Sequence, residues 1–106
     1  MEKKHFMCTH TWGSDAVRDQ VAEQSKEMTD ADFFALFKTE KAEVLQHWAG
    51  KDDFFFCHWY AESEDAIYDA LEAAQFNNLI VTMPSEMPRY VSSEKITGEV
   101  MADPFE

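Results

Sequence analysis

Residues 54–60, FFFCHWY, are seven consecutive aromatic or sulfur-bearing side chains without a charge, and Ala61 leads from them into Glu62-Ser63-Glu64-Asp65. So short and so apolar a run is a strand with at least one buried face. Ser63 is a natural helix cap, and Glu64 and Asp65 suit the positive end of the helix that follows. Ile67, Ala70, Leu71 and Ala74 then recur at helical spacing and form one apolar face. The stretch is a strand–helix junction, and its acids need no catalytic role.

The same signals order the rest of the chain. Residues 5–12, HFMCTHTW, read as a first strand ended by Gly13. Ser14 caps a helix expected to run to about Met28, with Val17, Val21 and Ala22 on its apolar stripe. Thr29 with Asp32 approximates a capping box and starts a short second helix, packed down by Phe33, Phe34, Leu36 and Phe37. Residues 42–49 and 53–60 read as a hairpin, joined by a Gly50-Lys51-Asp52 turn in which the glycine takes a positive φ. Residues 79–83, LIVTM, are expected as the fourth strand. Pro84 and Pro88 oppose regular ladder bonding beyond it. One domain is expected over residues 1–106, with its core at about 5–83 and a tail at about 84–106 that packs over a neighbour or frays.

The chain has 106 residues and a net charge of −12, from 21 acidic and nine basic residues. Without cationic clusters to displace counterions, nucleic acid is not an expected partner. Neither a membrane nor a targeting segment is expected, since no run approaches the ~20 apolar residues of a span. Cys8 and Cys57 follow no metal or redox spacing and lie in apolar runs, so two reduced thiols in the cytoplasm are expected.

The order β-α-(α)-β-β-α-β is the split, ferredoxin-like βαββαβ pattern, an α+β fold with an antiparallel sheet covered by helices on one face. The strands supply too many large apolar residues for the other face to meet water, and a two-fold homodimer would cover it. The opening FMCTHTW, the stretch AEVLQHWAGKDDFFFCHWYAESEDAIYDAL and the late short strand resemble the dimeric α/β-barrel superfamily, and within it the small members of about a hundred residues. The resemblance covers residues 5–83. It implies a dimeric barrel with a ligand pocket, and an activity among cofactor-free oxygenases, isomerases, haem-degrading enzymes or proteins of no known activity. The haem-degrading members use an Asn on the first strand and a His on the second helix. Here Thr9, His10 and Thr11 stand on the strand and residues 64–76 hold no His, so haem degradation is not implied.

Strand alternation sorts the candidate site residues. Phe54, Phe56, His58 and Tyr60 share one face. Phe55, Cys57, Trp59 and Ala61 share the other, which small Ala61 marks as the helix side. On the first strand Thr9 and Thr11 join the His58 face, while Phe6, Cys8 and His10 face the helices. His58 and Tyr60 are the candidate catalytic pair, with His58 as acid or base. Thr9, Thr11, Phe56, His47 and Trp48 are candidate ligand contacts. His47 and Trp48 point to opposite faces, and hairpin register decides which. The strand histidines His10, His47 and His58 follow no ligand motif, so no metal or other cofactor is expected. The expected function is binding or conversion of a small hydrophobic or aromatic compound in a barrel pocket. The alternatives are a non-catalytic ligand- or metal-binding module and a purely structural dimer.

Overall fold

The structure is a computed structural model that describes residues 2–101. Seven elements follow in the order β1 (Lys4–Trp12), α1 (Asp15–Gln24), α2 (Asp30–Leu36), β2 (Ala42–Trp48), β3 (Phe54–Ala61), α3 (Glu64–Ala73) and β4 (Ile80–Glu86). The strands form one open sheet in the order β2-β3-β1-β4, with every neighbouring pair antiparallel. The fold is α+β, with three helices and a four-stranded antiparallel sheet.

Cap chemistry sets the helix starts. The Ser14 and Ser63 side chains accept hydrogen bonds from the backbone N–H groups of Val17 and Ala66. Thr29 and Asp32 form a reciprocal capping box: Thr29 Oγ1 accepts from Asp32 N at 3.1 Å, and Asp32 Oδ2 from Thr29 N at 3.3 Å. The first helix is shorter than expected. It stops at Gln24, because no apolar residue between Ala22 and Met28 holds another turn against the sheet. The last helix ends in a Schellman motif. Gln75 takes φ 64°, and the N–H groups of Gln75 and Phe76 reach back to the carbonyls of Glu72 and Leu71.

The core lies between the helices and one face of the sheet. Phe6, Cys8, Cys57, Trp59 and Ala61 meet Ala66, Ile67, Ala70 and Leu71 there, and Phe37 and Val44 close the side. Alternation in β3 runs as the residues demand, with Cys57, Trp59 and Ala61 buried and Phe54, Phe56, His58 and Tyr60 on the uncovered face. In β2 the alternation breaks. Val44 pairs with Trp59 but Gln46 pairs with His58, so Leu45 is an extra residue in a bulge. Before the bulge Ala42 and Val44 face the helices. After it His47, opposite Cys57, returns to the helix side, while Gln46 and Trp48 face outward.

Two sequence expectations change at the turns and edges. Gly50 does not take a positive φ; among the described glycines only Gly98 does. Gly50 is needed for space, because a Cβ there would collide with the Phe54 carbonyl oxygen. The fourth strand also runs past Pro84, which pairs with Cys8, to Glu86. β4 is an edge strand, where a proline is tolerated. The backbone tie continues through Met87 N–H to His5 O at 2.8 Å. The sheet thus ends at 86 rather than 83. Residues 87–101 form no helix or strand and are mostly exposed, and the last five residues of the expected tail lie outside the described residues.

Candidate functional site

A cavity of about 550 Å³ lies between α1, α2 and the helix-facing side of the sheet. Trp12, Phe33, Phe37, Phe55, Trp59 and Phe76 supply its aromatic walls, and His10 and His47 its principal polar side chains from the strands. The period-two pleat puts His10 there; the β2 bulge puts His47 there.

His10 is only 1% exposed. Its Nδ1 lies 2.9 Å from Thr82 Oγ1 on β4, and its ring stacks on Phe55 with centroids 4.9 Å apart. Burial, helped by neighbouring His47, pulls its pKa down to about 4. His47 is half-buried, with Nδ1 3.2 Å from Cys57 Sγ and its ring 4.7 Å from that of Phe33. Burial lowers its pKa as well. Both rings are therefore neutral at physiological pH, each with one donor and one acceptor nitrogen. No hydrogen bond joins Nε2 of either ring to another described residue.

Burial pushes the Cys57 thiol up to about 12. It is protonated, can donate S–H to His47 Nδ1, and is no nucleophile. Cys8, directly opposite Cys57 across the β1–β3 ladder, is raised too, by burial first and by Cys57 second. Both cysteines are free. Trp59, 1% exposed in the same wall, keeps its Nε1–H buried without a partner among the described residues. Such a donor is rare in a native fold and calls for an explanation. Arg18 also lines the cavity, but its guanidinium is engaged by Asp53 at 3.2 Å and by Asp15 and Asp19 at 3.5 Å. Asp30 and Asp52 line it as well, Asp30 with its Oδ1 accepting from Ala31 N at 2.8 Å, so the cavity combines the two neutral histidines and an aromatic shell with acidic side chains.

The other sequence-derived candidates lie on the opposite face. Thr9, Thr11, Trp48, Phe56, His58 and Tyr60 all point to the uncovered side, and none of them lines this cavity. His47 is separated from them by the sheet. On the uncovered face Thr9 stands opposite Phe56 and Thr11 opposite Phe54. Thr11 Oγ1 donates to the Asp53 carbonyl at 3.2 Å. His58 instead bonds to two residues outside the sequence-derived set. Its Nε2 is 2.9 Å from His5 Nδ1, and its Nδ1 is 3.0 Å from Gln46 Oε1. Burial, then His5, lowers the His58 pKa. The His5 ring also lies 4.8 Å from Tyr60. His5 was within reach of sequence reasoning, since it continues the Met7, Thr9, Thr11 alternation. Gln46 was not, because it faces this way only through the bulge. Thr82, the partner of His10, carried no sequence signal either.

No protein-family model, curated protein or solved structure matches the chain. Among the described residues, no group of three or more His, Cys, Asp or Glu is placed to hold a metal ion. None of the described helices is long and apolar enough to cross a membrane.

Proposed function

We propose that this protein binds a small, uncharged hydrophobic or aromatic compound bearing a hydroxyl or carbonyl oxygen, in the cavity between the helices and the sheet. The observation that carries the reading is the aromatic-walled space of about 550 Å³ into which two neutral histidines are built. Its size falls within the ~300–1,000 Å³ of typical ligand sites, and a few polar groups in an apolar wall are their usual chemistry. The unpaired Trp59 N–H offers a further donor. Arg18, already held by three carboxylates, leaves an anion little to gain.

The subunit is read as ferredoxin-like, of the dimeric α/β-barrel kind. Strand order β2-β3-β1-β4 with antiparallel neighbours supports this. The uncovered face supports a homodimer. It exposes Trp48, Phe54, Phe56, Val81 and Met83, and among its ladder positions only Glu43 is charged. A chain with 21 acidic residues that puts only one of them at the ladder positions of this face can accept a second copy of the same charge there. The two buried free thiols fit a reducing, cytoplasmic compartment.

Ligand-observed NMR with a panel of phenols, naphthols and aryl ketones tests the binding reading. Ala22→Phe places a ring in the cavity lining from an exposed position of α1, and His47→Phe removes a polar group. Saturable binding to the parent protein, lost in Ala22→Phe with the melting temperature retained, is expected. Absence of saturable binding across the panel, or binding indifferent to both substitutions, rejects the cavity as the site.

A further inference from the structure

We propose that His5 and His58 form a binding site for a divalent transition-metal ion on the uncovered face of the sheet. The proposal is independent of the cavity, which neither residue lines. β1 and β3 are adjacent, and Met7 opposite His58 and Tyr60 opposite His5 set the two rings diagonally across the ladder. Their nitrogens meet at 2.9 Å, His5 Nδ1 to His58 Nε2. Two imidazole nitrogens at ordinary zinc bond lengths in a tetrahedral site stand about 3.3 Å apart. Side-chain rotation alone spans that difference and turns the hydrogen bond into a chelate.

The surroundings already have the form of a metal-binding histidine's support. His58 Nδ1 is 3.0 Å from Gln46 Oε1. With N–H donated to that carbonyl oxygen, the Nε2 lone pair is directed at His5, the arrangement by which a second ring nitrogen fixes tautomer and orientation in metal sites. The Tyr60 ring, 4.8 Å from that of His5, limits its rotation. When the ion enters, the proton on His5 Nδ1 leaves that nitrogen and Nε2 takes one up from solvent. His5 changes tautomer, and each ring keeps one N–H.

Charged groups nearby leave the site open. Lys3 Nζ lies over the Tyr60 ring at 5.8 Å from its centroid, and Lys4 is paired with Glu86 at 3.7 Å. Glu43 faces Tyr60 from β2. The net charge of −12 favours the approach of a cation. Imidazole ligands select copper, nickel and zinc over magnesium and calcium. Water, or the same pair from a second copy, completes the coordination.

Calorimetric titration of the full chain with Cu²⁺, Ni²⁺ and Zn²⁺ near neutral pH, in a non-coordinating buffer, tests this. Saturable binding with copper tightest is expected, and no competition by magnesium. Both His5→Gln and His58→Gln should weaken binding by more than tenfold. Gln46→Ala should weaken it by about tenfold, the effect of losing an outer-shell partner. All three positions are at the surface or half-buried, and circular dichroism checks that the variants fold. Imidazole proton signals give a second readout, since paramagnetic Cu²⁺ should broaden those of His5 and His58 first. Wild-type titrations without saturation, variants that bind like the parent, or broadening confined to His10 and His47 overturn the proposal.

Discussion

The helix-covered face of the sheet holds His10 and His47; the uncovered face holds His5 and His58. On the covered side each ring uses Nδ1 on a different neighbour, Thr82 or Cys57, and leans on Phe55 or Phe33. Burial strips both of their charge. On the uncovered side the two rings bond to each other, and Gln46 anchors one of them. Identical side chains of one sheet thus become fixed polar points inside an aromatic cavity, or a pair of nitrogens open to an incoming ion. The side of the pleat decides. For His47 it rests on one inserted residue, since without the Leu45 bulge Gln46 would face the cavity and His47 the outside.

The contrast between the faces is tested most severely by truncating one large residue on each. Trp59→Ala on the covered side should lose about 3–5 kcal/mol, the usual range for a buried aromatic. Trp48→Ala, on a side chain 48% exposed, should change the stability of a dilute chain by no more than about 0.5 kcal/mol. Urea unfolding measures both. If the uncovered face is an interface, the Trp48→Ala loss should grow with protein concentration, and the gap between the variants should narrow. Equal losses in dilute solution would mean that the two faces do not differ as described.

The next effect is specific to the covered face. The unfolded chain takes up a proton on His10 near the ordinary value of 6.5, while the folded ring does so only near 4. Between those values the unfolded state binds more protons, so the His10 contribution to stability is whole above 6.5, falls as the pH falls, and is gone below about 4. A shift of that size corresponds to about 3 kcal/mol. His47 adds in the same direction. The difference between unfolding curves of the parent and His10→Gln, measured across this window, isolates the contribution. A pH-independent difference would contradict the burial of His10. Thr82→Val should cost somewhat less, about 1–3 kcal/mol, by leaving His10 Nδ1 unpaired. Its loss should shrink in His10→Phe, where no such donor or acceptor remains.

Much of this division between faces was legible in the residues. Ala61, too small for anything but a place beneath a helix, oriented the whole of β3 through period two, and with it Cys57 and Trp59 on one side and His58 and Tyr60 on the other. Ser14, Thr29 and Ser63 marked three helix starts through the oxygen that each places on a free N–H. The bulge at Leu45 was not legible, because its cause lies in matching Val44 to Trp59 and His47 to Cys57 across the ladder rather than in any local turn residue. The course of β4 through Pro84 depended on its being an edge strand, a property of topology. The cavity was hidden for a similar reason. It exists because α1 buries only Val21 and α2 has no fully buried residue, so the two helices cover their end of the sheet without filling it.

The smallest expected effect on the chain's own stability carries the largest consequence for its assembly. Phe56 is 39% exposed and sits between Thr9 on β1 and Trp48 on β2, in the middle of the uncovered face. Phe56→Asp adds a carboxylate to a surface that meets solvent in the single chain, so its unfolding free energy in dilute solution should move by no more than about 0.5 kcal/mol. In a two-fold pairing across this face the same position would recur on both copies, and two desolvated carboxylates would oppose each other without a cation to pair them. Sedimentation at micromolar concentration should give twice 12.3 kDa for the parent and 12.3 kDa for the variant. A parent that sediments as a monomer removes the homodimer. A variant that still dimerises moves the interface to another surface, and the low charge of this face would then need a different partner to explain it.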